Sequence, residues 1–243
     1  KYNYIPLSSS LKTILDVVAE ATANPSEIEF AVDMTKNSNG QATFYLLQIK
    51  PLIGSGIGYN IDPKTIKKED LVLESPKSMG NGVIENITDL IYVEPGKFDN
   101  LSTIKMAEEI DMFNDEMLKE NRHYVLIGPG RWGTRDKFLG IPVTWPQICN
   151  AKVIVEVGIP GFQLDASLGS HFFHNVTSMK VGYFSIDQMS QRGSVNWEKL
   201  KEQEVIRQGS FFSHIRFSKP LHIMMDGKKS LAMIIMNNEK EQL

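Results

Sequence analysis

Three polar residues with different chemistry, Glu29, Gln48 and Lys50, lie in two short segments whose pattern is typical of a β-hairpin. The segments IEFAVD and TFYLLQIKPL are separated by the polar loop MTKNSNGQ, in which Asn39 and Gly40 supply turn residues. A carboxylate oxygen is a hard ligand for Mg²⁺, an amide supports a second oxygen, and a lysine ammonium pairs with phosphate. Brought together, these groups suit a nucleotide phosphate with its magnesium ion.

Hydrophobic alternation predicts the register of this hairpin. Pairing position 28 with 49, 30 with 47 and 32 with 45 collects six apolar side chains on one face: Ile28, Phe30, Val32, Tyr45, Leu47 and Ile49. On the other face Glu29 then lies opposite Gln48, and Glu27 lies opposite Lys50. The alternative is a solvent-exposed face with a cross-strand Glu27–Lys50 ion pair, since polar outer faces are the rule for antiparallel sheets.

A second candidate is the glycine turn GPGRWGTR at residues 128–135, which follows the apolar strand HYVLI. Free N–H groups in such a turn cradle anions, and Arg131 and Arg135 add positive charge. The turn matches neither the Walker A loop nor the dinucleotide fingerprint. We therefore keep two interpretations: an anion or phosphate site, and a tight turn whose arginines pair with acids such as Asp136.

A third candidate is the cluster GSHFFHN at residues 169–175. If the segment is helical, Ser170 caps it and His171 and His174 share one face, where they would bind a metal or accept a phosphoryl group. No third ligand is evident, so the alternative is a pair of structural histidines beside buried phenylalanines. The remaining histidines fall in strand-like segments and are interpreted as structural: His123, His214 and His222.

Helices and strands must position these residues. Serines 8–10 are predicted to cap a first amphipathic helix, residues 101–121 form the clearest long helix, and Asn196 caps a short helix over 197–207. The long helix is expected to place a set of apolar residues on one face: Ile104, Ala107, Ile110, Phe113, Met117 and Leu118.

Apolar strands are predicted at 151–157 and 181–186, and a closing hairpin is predicted around Asp226 and Gly227. Strict βαβ alternation is missing, which favours an α+β fold of mixed and antiparallel sheets with flanking helices. The glycine-rich stretch at 53–65 is the predicted boundary between two domains.

Composition limits the classes of function. The 243 residues carry 26 basic and 29 acidic side chains, for a net charge of −3. This balance argues against a dedicated nucleic-acid or membrane-surface binder. The single cysteine, Cys149, excludes an intramolecular disulfide and is interpreted as a buried thiol in a reducing compartment. The apolar run at 231–236 is too short to cross a bilayer and no secretory signal is evident, so we expect a cytoplasmic protein.

The hairpin segments EIEFAVD and FYLLQIKPL resemble the end of the ATP-binding domain of the phosphoenolpyruvate synthase and pyruvate, phosphate dikinase family. In that family an ATP-grasp fold closes with an "IEF" strand and an "LQ-x-R" strand. The resemblance covers about residues 5–52. It implies that Glu29 holds Mg²⁺ and the ATP phosphates, with Gln48 beside it. Lys50 stands at the family's arginine position, where a point charge replaces a planar fork and bidentate phosphate contact is lost.

The resemblance implies a fragment of an ATP-dependent phosphotransferase with ATP and Mg²⁺ as cofactors. Its partners would be the nucleotide, a small substrate (pyruvate or phosphoenolpyruvate) and the rest of the parent polypeptide. Residues 1–58 would be the C-terminal part of an ATP-grasp-like domain, and residues 59–243 an α+β module of uncertain role. Because the chain begins at Lys1 and the upstream half of the ATP cradle is missing, we expect little or no kinase activity from it alone.

Two other functions remain open. In the first, residues 60–243 are a regulatory module that senses a phosphate-bearing metabolite through Arg131, Arg135 and the histidine cluster. In the second, the chain is a structural subunit or an interaction domain without a ligand.

Overall fold

The fold is mixed α and β, as expected. A computed structural model describes residues 6–22, 26–51, 60–134, 136, 138–158, 176, 179–187 and 193–236. The chain divides into two compact units, residues 1–57 and residues 58–243. Within the described ranges, no helix combines the length and the apolar character needed to cross a membrane.

The first unit contains helix α1 (Leu7–Thr22) and the antiparallel strands β1 (Ser26–Asp33) and β2 (Thr43–Pro51). The predicted serine caps are wrong, because the serines lie inside the first helical turn. The backbone N–H of Ser10 donates to the carbonyl oxygen of Pro6 at 2.9 Å, so the first helical hydrogen bond begins at the proline.

The larger unit is dominated by strands. Helix α2 (Thr103–Lys119) and the short helix α3 (Trp197–Lys201) accompany them. The strands are β3 (Leu71–Ser75), β4 (Lys77–Met79), β5 (Gly82–Val93), β6 (Tyr124–Pro129), β7 (Arg131–Trp132), β8 (Gly140–Ile141), β9 (Ala151–Gly158), β10 (Gly182–Asp187), β11 (Ser194–Val195), β12 (Glu204–Gln208), β13 (Phe212–Asp226) and β14 (Leu231–Ile235).

One mixed sheet organises these strands. Its order is β11-β3-β14-β13-β5-β6-β9-β10-β4, and β12 pairs with β13. Neighbours β5, β6, β9 and β10 run parallel, while the other pairs in this sheet are antiparallel. The sheet curls back on itself, since the hydroxyl of Ser75, the last residue of β3, donates to the carbonyl oxygen of Ser185 in β10 at 2.9 Å.

Both faces of the central strands are buried. One face encloses the aliphatic cluster that includes Val125, Val155 and Ile223, and the other packs against α2. This two-sided burial explains the nearly continuous apolar runs in the parallel strands.

The buried stripe of α2 differs from the predicted face. Met106, Ile110 and Phe113 are buried on it, whereas Ile104 and Leu118 are 52% and 46% exposed. At 100° per residue, positions 104 and 118 fall at the edge of the arc centred on Ile110, so the sheet does not cover them.

The predicted helix at 197–207 is too long. The Asn196 side chain accepts the Lys199 N–H at 3.1 Å and caps α3 as expected, but the helix ends at Lys201. Residues 204–208 instead form β12 against β13, in keeping with the β-branched pair Val205-Ile206.

Candidate functional site

The hairpin brings together the polar residues singled out from the sequence. Glu29 pairs with Gln48 and Glu27 pairs with Lys50, which confirms this part of the predicted register. The side chains of Glu29 and Gln48 are both exposed. Directly opposite residues of an antiparallel pair project from the same face, so carboxylate and amide lie side by side.

A β-bulge follows Glu29 and changes the rest of the register. The register shifts between Glu29 and Phe30, so that Phe30 pairs with Leu46 and Leu47 has no directly opposed residue. The predicted pairing of 30 with 47 is therefore wrong. A bulge bends and twists its strand and re-aims neighbouring side chains, and here it lies beside the candidate carboxylate.

Beyond the bulge, each residue of β2 lies on the face of the hairpin opposite to the predicted one. Val32 pairs with Phe44 instead of residue 45, and the rings of Phe30 and Phe44 stack with centroids 4.9 Å apart. Tyr45 pairs with Ala31, which places it on the face of Glu29, and it is 49% exposed. Strict alternation had assigned Tyr45 to the apolar face, so this aromatic member of the polar face was missed.

The donors on this face fit a hard cation bound together with phosphate. In the described part of the chain, no three His, Cys, Asp or Glu side chains gather into a group able to hold a metal. Mg²⁺ is commonly held by one or two carboxylates, while substrate phosphates and water complete its coordination. Glu29 with Gln48 satisfies that requirement, and an all-protein metal cage is not needed.

The glycine turn does not offer the expected cradle of free N–H groups. All the backbone N–H groups of residues 130–133 donate to protein acceptors. In chain order, the acceptors are Val157 O (3.0 Å), Leu139 O (3.1 Å), Glu156 Oε1 (3.1 Å) and Ile141 O (3.0 Å). Arg131 is half-buried, and Arg135 lies outside the described residues. Any anion bound here must therefore contact side chains.

The glycines of this turn serve close backbone packing. Gly130 and Gly133 have φ values of 66° and 72°, which side-chain-bearing residues rarely adopt. A Cβ atom on Gly140 would lie 1.9 Å from the carbonyl oxygen of Arg131. These glycines allow β7 and β8 to pair in parallel, and this pairing uses the N–H groups of Arg131 and Gly133.

Next to the turn lies a carboxyl group that sequence reasoning missed. Glu156 on β9 is only 8% exposed. Its Oε1 accepts the Trp132 N–H at 3.1 Å and the hydroxyl of Tyr183. Burial raises the pKa of Glu156 to about 7, although these two hydrogen bonds and the charge of Arg131 act in the opposite direction. Glu156 is thus poised to exchange a proton near neutral pH.

A second buried carboxyl group, Asp89 on β5, behaves in the opposite way. Its Oδ1 accepts from His214 Nε2 and Arg216 Nε, each at 2.8 Å. Its Oδ2 accepts from Arg122 Nε at 2.9 Å and from the Thr88 hydroxyl at 2.8 Å. Burial opposes ionisation, but these four donors together hold the pKa of Asp89 well below its usual range. We interpret this cluster as a structural ion network.

Of the remaining candidates, two histidines lie outside the described residues, and Cys149 and His123 have neighbours in the structure. His171 and His174 lie outside the described residues. The expected buried thiol is only half-buried, and the Asn114 side-chain amide lies 3.7 Å from Sγ of Cys149. His123 Nδ1 lies 3.2 Å from the carbonyl oxygen of Asn150.

The chain matches no family model, no curated protein and no solved structure. Two regions therefore stand as independent candidates on their own geometry: the polar face of the hairpin and the surroundings of Glu156.

Proposed function

We propose that the chain carries the closing hairpin of an ATP-grasp-like nucleotide-binding domain and functions in an ATP-dependent phosphotransferase resembling phosphoenolpyruvate synthase and pyruvate, phosphate dikinase. The observation that carries the proposal is the pairing of Glu29 with Gln48 across the hairpin. The proposed ligands are ATP and Mg²⁺, and the proposed location is the cytoplasm.

Each residue of the face has a part in this proposal. Glu29 supplies the carboxylate oxygen that holds Mg²⁺, and Gln48 supports a neighbouring oxygen. Lys50, opposite Glu27 in the register, supplies positive charge for the phosphates. When bound, the magnesium ion offsets the charge of the phosphate oxygens.

Tyr45 extends the face toward the rest of a nucleotide. Glu29 and Ala31 are two residues apart, so the neighbouring cross-strand pairs lie about 7 Å apart along the strand. An aromatic ring at that distance is placed to pack against the sugar or the base while Glu29 holds the phosphate end.

Phosphoryl transfer needs little covalent chemistry from the protein, because positioning and charge neutralisation supply most of the catalysis. The hairpin provides one side of such a cradle. The other side and the acceptor site, for pyruvate or phosphoenolpyruvate, belong in this proposal to the rest of the parent polypeptide. The isolated chain is therefore expected to bind Mg-ATP weakly and to form no phosphoenolpyruvate from pyruvate and ATP.

Thermal shift tests the proposal. Mg-ATP at millimolar concentration should raise the unfolding temperature of the hairpin unit, and the Glu29→Gln variant should lose this rise, since the amide keeps the shape but removes the charge that holds Mg²⁺. Asp16→Asn is the matched control, because Asp16 is an exposed carboxylate of the same unit that pairs with Lys12 at 2.8 Å. An equal rise in the wild type and in Glu29→Gln would contradict the proposal.

A further inference from the structure

Glu156 lies toward the carboxyl end of the parallel strands. In the register of β9 with its neighbours, it is level with Gly128 of β6 and Ser185 of β10. Ligands of sheets with parallel strands bind characteristically in the crevice outside the carboxyl ends of those strands. The chain turns at Gly130–Gly133 beside this edge, which brings Arg131 and Trp132 next to Glu156.

The two oxygens of the Glu156 carboxyl group differ in their surroundings. Both hydrogen bonds, from Trp132 N–H and from the hydroxyl of Tyr183, end on Oε1. Oε2 has no donor within the described part of the chain, and it is not one of the fully enclosed side-chain atoms without a partner. The group is thus held through Oε1 alone, and its second oxygen has no protein donor among the residues that the structure describes.

Arg131 provides the charge at this position. Its guanidinium lowers the pKa of both Glu156 and Tyr183, although burial outweighs it in each case. The titratable groups that act on Glu156 are therefore Tyr183, whose pKa is raised well above its usual value, and Arg131. Near neutral pH Glu156, and not Tyr183, is therefore the carboxyl–hydroxyl partner that changes its charge.

We propose that Arg131 and the carboxyl group of Glu156, at the carboxyl end of the parallel strands, form a binding site for a tetrahedral oxyanion of the phosphate and sulfate class. Glu156 donates its proton from Oε2 to one anion oxygen, and Arg131 supplies the countercharge. Tyr183 and Trp132 hold the carboxyl group in position through Oε1. The site lies in the larger unit and does not depend on the function proposed for the hairpin.

The proposal makes anion binding depend on a proton. An ionised Glu156 has no hydrogen to donate and repels the anion, so binding requires the protonated form. Because the pKa of Glu156 is about 7, this form predominates below neutral pH and declines about tenfold for each pH unit above it. Binding above neutral pH must take up a proton together with the anion.

Sulfate is the probe of choice, because its own charge does not change between pH 6 and pH 8. Calorimetric titration of the full chain at constant ionic strength, without magnesium or nucleotide, should give about tenfold weaker sulfate binding at pH 8 than at pH 6. Glu156→Gln should bind equally at both pH values, since an amide N–H donates without titrating. Arg131→Met should bind at least about tenfold more weakly at both.

Lys201→Met is the matched control for lost positive charge, because the side chain of Lys201 is exposed and its ion-pair partner is Glu198 on α3. It should bind as the wild type does. The proposal is overturned if the wild type binds no sulfate at pH 6, or if its affinity is the same at pH 6 and pH 8. It is equally overturned if Glu156→Gln keeps the pH dependence of the wild type. The wild-type comparison alone decides the question should a variant not fold.

Discussion

The hairpin unit and the larger unit present their carboxyl groups in different surroundings. Glu29 is exposed on a hairpin where Leu47 is 64% exposed, whereas Glu156 and Asp89 are 8% and 1% exposed. An exposed carboxylate keeps its charge in water and suits a cation that brings its own ligands. Whether a buried carboxyl group is ionised depends on the charges and hydrogen-bond donors around it. The proposed sites therefore differ in what they require: magnesium in the hairpin and a proton at Glu156.

Inside the larger unit, burial alone does not decide ionisation. Asp89 is level with Tyr124 and Glu156 is level with Gly128, so about 13 Å of strand separates the two levels. Two guanidinium groups and a histidine bond to Asp89, but only neutral donors bond to Glu156. The charge of the donors separates a structural carboxylate from one that exchanges protons.

The largest effect is expected at the structural carboxylate. Asp89→Asn leaves Arg122 and Arg216 without their shared buried partner, and we expect a loss of about 3 kcal/mol in the free energy of unfolding. Urea denaturation at neutral pH measures this loss. Because the pKa of Asp89 is lowered by folding, its contribution is present above the ordinary aspartate pKa and is lost as pH falls through the folded value.

Glu120→Gln serves as the control for that experiment. Glu120 pairs with Arg216 at 3.4 Å, but its side chain is 52% exposed, so its loss should change stability little. Equal effects of the two substitutions would mean that Asp89 is not the centre of the ion network.

Glu156→Gln is expected to have a smaller effect on the free energy of unfolding, and this effect should depend on pH. Folding raises the pKa of Glu156 from 4.5 to about 7, so its protonation stabilises the fold at low pH, and this contribution is lost as pH rises through 7. Glu156→Gln does not titrate. Its stability relative to the wild type should therefore improve by about 2 kcal/mol between pH 5 and pH 8. Glu198→Gln, at an exposed position, should show no such trend, and a flat difference for Glu156→Gln would refute the raised pKa.

A third substitution tests a buried carboxylate that accepts hydrogen bonds from backbone N–H groups. Glu109 on α2 accepts the N–H groups of Ser210, Phe211 and Phe212 at 3.2, 3.0 and 3.0 Å. Glu109→Gln weakens these charge-assisted bonds, and we expect a loss of about 1 kcal/mol in chemical denaturation. The neighbouring Glu108 is exposed, so Glu108→Gln should have almost no effect. A larger loss at Glu108 would reverse the assignment of the buried face.

The smallest effect is expected in the hairpin. Leu47 is the residue left without a directly opposed partner at the bulge and is 64% exposed, so Leu47→Ser should change stability by no more than about 0.5 kcal/mol. Differential scanning calorimetry can follow the hairpin unit. A loss above about 1 kcal/mol would show that Leu47 packs against other residues and that the contrast between the two units is weaker than described.

Local patterns predicted much of the fold. Three of the parallel strands, β6, β9 and β10, were recognisable as apolar runs, and the hairpin was recognisable from its alternation and its Asn-Gly turn. The bulge beside Glu29 was not recognisable from the sequence, because one extra residue hardly changes the composition of a strand. It nevertheless moves every later side chain of that strand to the opposite face. The predicted helix at 197–207 was too long because the β-branched Val205 pairs with Ile215 of β13 instead of continuing the helix.

The site residues were predictable only where their partners are close in the chain or fixed by the register. Glu29 and Gln48 followed from the hairpin register. Glu156 did not, since its partners Trp132 and Tyr183 are 24 and 27 residues away and meet it only in the folded sheet. Its raised pKa is a property of tertiary burial, which no short motif encodes.

The most direct test of the nucleotide-phosphate assignment is an amide NMR titration of the full chain with Mg-ATP, which detects weak binding residue by residue. We predict saturable shifts in the signals of residues 27–31 and 45–50, and their loss in Glu29→Gln or when magnesium is withheld. Unchanged hairpin signals at saturating Mg-ATP, or the same shifts in Glu29→Gln, would contradict the assignment.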